Sequence, residues 1–197
     1  CGDVGFGKTE LLVRATLKAL ESQKQVAILV PTTILAHQHY ETFTARLKKT
    51  PYIVKCLSRF NSKKEQKEIV DQLKNNQCEC VIGTHRLLSK DILFHDLGLL
   101  IIDEEHRFGV LDKEKITSIK PNIDILSVSA TPIPRTLYMS LGGSYNISLI
   151  ETPPKNRLPI ITTTSEFNEY MLKKAIEYEI KRNGQLFYVF NNISAIE

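Results

Sequence analysis

Five short runs of almost uninterrupted apolar residues constrain the fold of this chain more than any other feature. A strand with helices over both of its faces has no solvent side, so its sequence lacks polar alternation. The stretches between these runs carry the apolar periodicity of helices. We therefore predict an α/β doubly wound domain with a parallel sheet. The predicted strands are QVAILVP (25–31), YIVKCLS (52–58), CVIGT (80–84), LGLLIID (97–103) and IDILSVS (123–129), and the predicted helices are KTELLVRATLKALES (8–22), TILAHQHYETFTARLKK (33–49), SKKEQKEIVDQLKNN (62–76) and IPRTLYMSLG (133–142).

The proline-rich stretch ETPPKNRLP (151–159) has no periodic pattern and predicts a linker. After it, LPIITTTS, FNEYMLKKAIEYEIKRN and QLFYVFN read as β-α-β, the beginning of a second α/β domain. Roughly forty residues are too few to close a core of their own. We therefore expect a first domain over 1–150, a linker over 151–158, and an incomplete second domain over 159–197.

Composition excludes several classes of protein. The chain is 42% hydrophobic and 24% charged, values ordinary for a globular protein, and its apolar runs are too short to cross a bilayer. No signal peptide is recognisable, and the four cysteines lack the spacing of a zinc site. These features favour a reduced, cytoplasmic protein without a membrane partner. The net charge of +4 is compatible with a polyanionic partner, but equally with a solvated basic surface.

The first motif that carries chemistry is a phosphate-binding loop. Gly2-Asp3-Val4-Gly5-Phe6-Gly7-Lys8-Thr9 fits G-x-x-x-x-G-K-[ST]. Glycines let backbone N–H groups curl around phosphate oxygens, and the helix that follows points its N-terminus at them. Lys8 would add a positive charge at the β- and γ-phosphates of ATP, and the Thr9 hydroxyl would bind Mg²⁺. The alternative is a glycine-rich turn that caps a helix.

The second motif is an acidic turn at the end of the strand 97–103. Ligand groups collect at the carboxyl ends of parallel strands, where Asp103-Glu104-Glu105-His106 lies. Asp103 is placed to hold Mg²⁺, and Glu104 to orient and deprotonate the water that attacks the γ-phosphate. The alternative is a charged helix N-terminus, where acids are also favoured. Together with the phosphate loop, this turn predicts nucleotide hydrolysis.

Five motifs then carry a family resemblance. GFGKT, PTTILAHQHYETF, GTHRLL, DEEH and SATPIPRT occur in the order of motifs I, Ia, Ib, II and III of superfamily 2 helicases and translocases. Within that superfamily the chain resembles the bacterial transcription-repair coupling factors, on DEEH, LSRFNSKKEQ (57–66) and ETPPKNRLPI. The branch-migrating helicases of replication-fork repair, which typically have DEQH, are the alternative in the same branch. A non-catalytic module that holds nucleotide without turnover is a third reading.

The resemblance implies a motor of two RecA-like lobes with ATP and Mg²⁺ between them. It further implies translocation on double-stranded DNA, displacement of stalled RNA polymerase, and recruitment of excision-repair proteins through domains outside these residues. The first strand of the first lobe is expected before Cys1 and the arginine finger of the second beyond Glu197. Because that finger contributes several orders of magnitude to hydrolysis, we expect this piece alone to hydrolyse ATP poorly.

The same resemblance assigns further residues. Hydroxyls and free N–H groups at helix starts suit nucleic-acid phosphates, so DNA-backbone contacts are expected from Thr32, Thr33, Thr84, His85 and Arg86. Ordinary helix capping by the threonines and a structural ion pair at Arg86 are the alternatives. Finally, the resemblance makes His106 a bridge to motif III, and makes Ser129 and Thr131 couple the γ-phosphate state to the grip on DNA.

Overall fold

The computed structural model describes residues 1–109, 112, 123–130, 146–155 and 160–189, and it divides into two compact units, Cys1–Arg157 and Leu158–Glu197. The predicted helix 133–142 and Thr131 lie outside the described residues. Within those residues, no helix combines the length and the apolar character that crossing a membrane requires.

The first unit is built on a five-stranded parallel sheet in the order β2-β3-β1-β4-β5. All five strands lie where the apolar runs predict them, and their bounds are β1 Gln25–Leu29, β2 Val54–Leu57, β3 Cys80–Gly83, β4 Leu97–Asp103 and β5 Asp124–Val128. The residues of β1 and β3, in the middle of the sheet, are buried throughout. This burial on both faces explains why their sequences show no alternation.

Helices cover both faces of the sheet. Helices α1 (Lys8–Glu21) and α2 (Thr33–Leu47) pack on one face, where Leu12, Val13 and Phe43 join the apolar cluster of Ile28, Ile82 and Ile101. On the other face, α3 (Lys63–Lys74) contributes Ile69 and Leu73 to a second cluster with Leu29, Leu57, Leu100 and Phe108. The doubly wound arrangement therefore has two cores, one on each side of the sheet.

Side-chain caps fix where two of these helices begin. The Thr32 hydroxyl accepts a hydrogen bond from the Leu35 N–H, and α2 starts at Thr33. Ser62 and Glu65 form a reciprocal capping box at the start of α3, in which each side chain accepts from the other's backbone N–H. Both helices consequently start at the carboxyl ends of strands, on the edge of the sheet where ligands bind in folds of this type.

The start of the chain is held against the segment that precedes the predicted linker. Gly2 forms a parallel bridge with Ile150, and the Ile150 N–H donates to the Cys1 carbonyl at 2.8 Å. The Gly2 N–H in turn donates to the Ser129 carbonyl, just past β5, at 3.2 Å. These contacts fix the first residues of the phosphate loop beside the end of β5.

The second unit contains helix α4 (Glu169–Lys181), capped by the Asn168 side chain, as its periodicity predicts. The prediction of strands on either side of it is wrong for the described residues, because 160–165 and 184–189 form no strand. Their apolar side chains, such as Ile161 and Phe187, are exposed. A strand is stabilised by neighbouring strands and a packed face, and these segments have neither here.

Candidate functional site

The phosphate loop has the conformation that its glycines predict. Gly5 and Gly7 have φ of 79° and 82°, in the left-handed region where a side chain is disfavoured. Gly7 is the N-cap of α1, and nothing lies within 4 Å of the position that a Cβ on it would occupy. The hydrogen bonds of α1 begin with the Glu10 N–H, which donates to the Gly7 carbonyl at 3.0 Å, so the N–H groups of Lys8 and Thr9 precede them. Open space at Gly7 beside these two backbone donors fits a phosphate group.

Lys8 is folded back into its own loop. Its ammonium donates hydrogen bonds to the carbonyls of Gly2, at 2.7 Å, and Asp3, at 3.1 Å. These carbonyls hold the positive charge at the mouth of the cradle. The charge is thus already in place for an anion that enters the loop.

The acidic turn begins at the last residue of β4. Asp103 ends the strand, and Glu104 adopts a left-handed conformation, with φ 55° and ψ 49°, that turns the chain sharply. A non-glycine residue in this region carries backbone strain of about 1 kcal/mol, which is characteristic of functional sites. The Glu104 N–H donates to the Val128 carbonyl at 2.9 Å.

The loop and the acidic turn meet at the end of β5. The backbone of Gly2 is bound to Ser129, and the backbone of Glu104 is bound to Val128. Consecutive α-carbons are 3.8 Å apart, so both motifs are anchored within a few ångströms of each other. A cavity of about 200 Å³ there is lined by both Lys8 and Glu105. The backbones of the two motifs therefore lie at one rim of the sheet, and the meeting of Lys8, Asp103 and Glu104 at one nucleotide stays a prediction.

His106 connects the acidic turn to the segment after β5. Its Nδ1 lies 3.2 Å from a Glu104 carboxylate oxygen and 3.5 Å from the Ser129 hydroxyl. This is the bridging position that the resemblance assigns to it. The function of the bridge remains a prediction, and its other predicted member, Thr131, lies outside the described residues.

Asp103 has a partner that the sequence analysis missed. The Nε2 atom of His39, on α2, lies 2.8 Å from a carboxylate oxygen of Asp103, and both side chains are largely buried. One signal was available. His39 follows Ala36 and precedes Phe43 and Leu47 at helical spacing, which places it on the buried face of α2. A histidine on such a face needs a polar partner, although periodicity does not say which one.

The residues predicted to contact DNA lie at the same carboxyl edge, after two adjacent strands. Thr32 and Thr33 follow β1, and Thr84 and His85 follow β3. Thr32 caps α2, which is the alternative to a DNA contact that the sequence left open for this residue. His85 is half exposed, packs its ring against Phe108, and lies 3.4 Å from the Asp112 carboxylate.

Arg86 is held in a structural ion pair. Its guanidinium donates to both carboxylate oxygens of Asp91, at 2.8 and 2.5 Å, and to Gln66 at 3.0 Å. These bonds lower the pKa of Asp91. Because the guanidinium is already engaged, a contact from Arg86 to DNA remains a prediction that would require sharing or exchanging this partner.

No group of three or more metal-binding side chains occurs in the part of the chain that the structure describes. This is compatible with Mg²⁺, which typically takes one or two protein ligands and completes its shell with water and substrate phosphates. The assignment of Thr9 and Asp103 as its ligands stays a prediction.

Comparison with known proteins defines the class. Residues 1–140 match the model of the DEAD/DEAH box helicase family. The chain therefore belongs to that family, and the prediction of a RecA-like α/β lobe is confirmed.

Relatives within the class are more specific. The chain is 55% identical over all of its 197 residues to the transcription-repair-coupling factor of Bacillus subtilis, and 54% identical over 196 residues to that of Staphylococcus haemolyticus. In each case it spans 17% of the relative's length. The resemblance to coupling factors predicted from the motifs is thus confirmed.

Solved structures support the same fold. RecG bound to a three-way DNA junction superimposes with a TM-score of 0.79 and 35% identity, over 98% of this chain and 26% of RecG. Dbp5 of S. cerevisiae, bound to RNA and ADP BeF3, gives a TM-score of 0.60 at 16% identity, over 77% of this chain and 41% of Dbp5. At that identity the second likeness concerns the fold alone.

Proposed function

We propose that this chain is the ATP-hydrolysing lobe of a double-stranded DNA translocase that acts in transcription-coupled repair. The observation that carries the proposal is the anchoring of the phosphate loop and the acidic turn to consecutive residues, Val128 and Ser129. A lysine and two carboxylates brought to one rim form the minimal set for binding and hydrolysing a magnesium-bound triphosphate.

Each residue of the set has a proposed role. Lys8 and the N–H groups of the loop bind the phosphates, while Thr9 and Asp103 hold Mg²⁺. The bound ion supplies positive charge at the γ-phosphate. Glu104 orients the attacking water and accepts its proton, because its carboxylate is projected from a fixed turn rather than from a mobile loop. His106 holds the Glu104 carboxylate in place, at 3.2 Å.

The nucleic-acid contacts are proposed at the same edge of the sheet. Thr32, Thr33, Thr84 and His85 would meet phosphates of the DNA backbone, with Arg86 joining them if it leaves Asp91. Contacts to phosphates carry no sequence information, so binding should be independent of sequence and weaken with salt. Ser129, with Thr131, would report the state of the nucleotide to this surface through His106.

The role in repair rests on the name of the most similar relatives reported above. Displacement of stalled RNA polymerase and recruitment of excision-repair proteins are proposals for a whole protein of which this chain matches 17%. A cytoplasmic location, in a reduced compartment, belongs to the same proposal. The second candidate is a fork-remodelling helicase, favoured by the likeness to RecG at 35% identity. The higher identity to coupling factors, 55%, is the support for the first candidate over the second.

Binding of a fluorescent ATP analogue tests the phosphate site directly. Lys8→Ala should weaken binding by at least tenfold, because it removes the charge that faces the phosphates. Lys18→Ala, at the exposed end of the same helix, is the matched control and should bind like the wild type. Equal binding by Lys8→Ala and the wild type would refute the assignment.

Hydrolysis is tested separately in the intact protein, with duplex DNA present. Glu104→Gln should bind ATP normally and lose turnover by two or more orders of magnitude, since it removes the base without removing a phosphate ligand. Binding without turnover by the wild-type intact protein would instead support the non-catalytic module.

A further inference from the structure

Helix α2 reaches both of the ligand surfaces proposed above. Its first turn carries Thr33, one of the proposed DNA contacts, and its second turn carries His39, whose Nε2 lies 2.8 Å from a carboxylate oxygen of Asp103. The two positions on the helix are separated by about 9 Å along its axis, at 1.5 Å per residue. One helix therefore joins the proposed nucleic-acid surface to a proposed magnesium ligand.

The hydrogen bond between His39 and Asp103 is a strong link between the helix and the acidic turn. Both side chains are largely buried, so water does not readily replace either partner. An ionised carboxylate only accepts hydrogen bonds, so the ring nitrogen of His39 donates. A hydrogen bond to a charged acceptor is about twice as strong as one between neutral groups. A change in the position of Asp103 therefore acts directly on His39.

Helix α2 is well enough fixed to carry such a change along its length. Ala36, Phe43 and Leu47 are buried on the face that packs against the sheet. The Thr32 side chain caps the first turn, so the helix stays closed up to its start. Rigid helices are among the elements that carry coupling between two sites. A shift at His39 is consequently passed to the first turn.

A second contact ties α2 to the phosphate loop. The Arg46 guanidinium, near the end of α2, forms a bidentate ion pair with the Glu10 carboxylate, with N–O distances of 2.5 and 2.8 Å. Glu10 directly follows Thr9, the other proposed magnesium ligand, in the first turn of α1. An exposed ion pair adds little stability, but its bidentate geometry fixes how the two helices are oriented. Helix α2 therefore contacts both motifs of the proposed nucleotide site.

This connection differs from the bridge that His106 forms. His106 links Glu104 to Ser129, which follows β5, whereas His39 links Asp103 to the helix that follows β1. The strands β1 and β5 are the two neighbours of β4 in the sheet. The two histidines therefore connect the acidic turn to opposite sides of β4, and the role of one does not include the role of the other.

We propose that His39 is a positioning residue that couples the occupancy of the nucleotide site to the binding of DNA at the start of α2. The hydrogen bond sets the position of α2 relative to Asp103, so Thr33 is placed differently when the site is filled and when it is empty. Each ligand then favours one of the two positions of the helix, which is what coupling requires. This inference rests on the proposed function, which supplies both ligands.

The effect of nucleotide on DNA affinity in the intact protein tests this role. Anisotropy of a labelled duplex measures the dissociation constant for DNA without nucleotide and with a saturating non-hydrolysable ATP analogue and Mg²⁺. In the wild type we expect the analogue to change this constant by about fivefold or more, as is typical of coupled sites. Saturating duplex should change the affinity for the analogue by the same factor, because coupling is reciprocal.

Three variants separate coupling from packing. His39→Leu should reduce the coupling factor to about twofold or less, while its affinity for DNA alone stays within about twofold of the wild type. His39→Gln retains an N–H donor and should restore most of the factor. The matched control is His37→Leu, since His37 lies on the same helix but is exposed and pairs with Glu41, and it should keep the wild-type factor. Saturation with the analogue is verified for each variant, so weaker nucleotide binding is not mistaken for lost coupling.

The outcomes separate this inference from the proposed function. If both ligands bind and His39→Leu keeps the wild-type factor, the coupling role is refuted while the proposed function stands. If His39→Leu also loses affinity for DNA alone, or His39→Gln restores nothing, His39 supports the fold rather than the coupling and the inference is likewise overturned. It falls as well if the wild type binds both ligands without mutual effect, which leaves the phosphate site intact. If the wild type binds neither ligand, both proposals fail.

Discussion

The buried pair of His39 and Asp103 makes the most specific prediction about the site. His39 is 6% exposed, and the Asp103 side chain is 14% exposed. Replacing His39 with leucine keeps a side chain of similar size against Phe43. It removes the ring nitrogen that forms the hydrogen bond with Asp103. The Asp103 carboxylate then stays at the protein interior without this donor.

The size of the effect follows from that geometry. A hydrogen bond to a charged group contributes about 1.5–3 kcal/mol, and breaking a fully buried charged pair costs about 3–5 kcal/mol. Because Asp103 retains some contact with solvent, we expect the lower part of these ranges, about 2–3 kcal/mol. For a unit of this size, 1 kcal/mol lowers the melting temperature by about 2–4 °C, so His39→Leu should melt roughly 5–10 °C lower.

Two further variants distinguish positioning from packing. His39→Gln keeps an N–H donor near the same place and should recover at least half of the lost stability. His39→Leu combined with Asp103→Asn should be destabilised by less than the sum of the single changes, because both remove the same interaction. Additive effects, measured by urea unfolding, would mean that the two side chains do not interact.

The pair should also affect the metal. If His39 orients Asp103 towards Mg²⁺, His39→Leu should weaken nucleotide binding in the presence of Mg²⁺ and leave binding in its absence unchanged. A fluorescent nucleotide titrated with and without Mg²⁺ measures both. An equal loss under the two conditions would indicate a general disturbance of the fold and refute the positioning role.

Three more predictions concern the scaffold. Gly83→Ala would press a methyl group against the Leu57 carbonyl oxygen of β2 and should abolish stable folding or lower the melting temperature strongly, whereas Gly109→Ala, which would meet the Asp112 carboxylate at an ordinary 3.7 Å, should be tolerated in the same thermal melt. Hydrogen bonds from Arg46 and Arg14 hold the pKa of Glu10 at about 2, below its ordinary 4.5, so their stabilisation is complete above that ordinary value and is lost as the pH falls towards 2. The stability difference between the wild type and Glu10→Gln in urea should therefore shrink between pH 5 and pH 2, and a constant difference would contradict the ion pair. Burial raises the pKa of Cys78 to about 12, so this thiol should resist a thiol reagent at neutral pH until the chain is unfolded, and rapid labelling of the native chain would show that the core opens.

The central strands of the first unit, β1, β3 and β4, could be located from the sequence because they are buried on both faces. Uninterrupted apolar runs are the direct consequence of that burial, and the bounds of β4, Leu97–Asp103, coincide with the predicted run. The same reasoning failed at 160–165 and 184–189, where apolar segments lie outside any sheet. An apolar run predicts a strand when a packed face is available, and sequence pattern alone does not contain that information.

The candidate site was predictable in its chemistry but not in its internal contacts. Glycine spacing fixed the loop, and the acids after an apolar strand marked the second motif. The bond between His39 and Asp103 joins residues 64 positions apart, and neither local spacing nor charge pairs them. Similarly, the sequence allowed either a DNA contact or a structural ion pair at Arg86. The bidentate bond to Asp91 depends on side-chain geometry that the sequence pattern does not contain.

The left-handed backbone conformation of Glu104 lowers the folding stability at a position that carries a proposed catalytic side chain. Glycine would occupy that conformation without strain, and the protein would gain folding stability from the exchange. It would also lose the carboxylate to which the proposed function assigns water activation. A search of variants for thermal stability alone should therefore favour Glu104→Gly, and under the proposed role of Glu104 an intact protein with this change would melt at a higher temperature and lose ATP turnover.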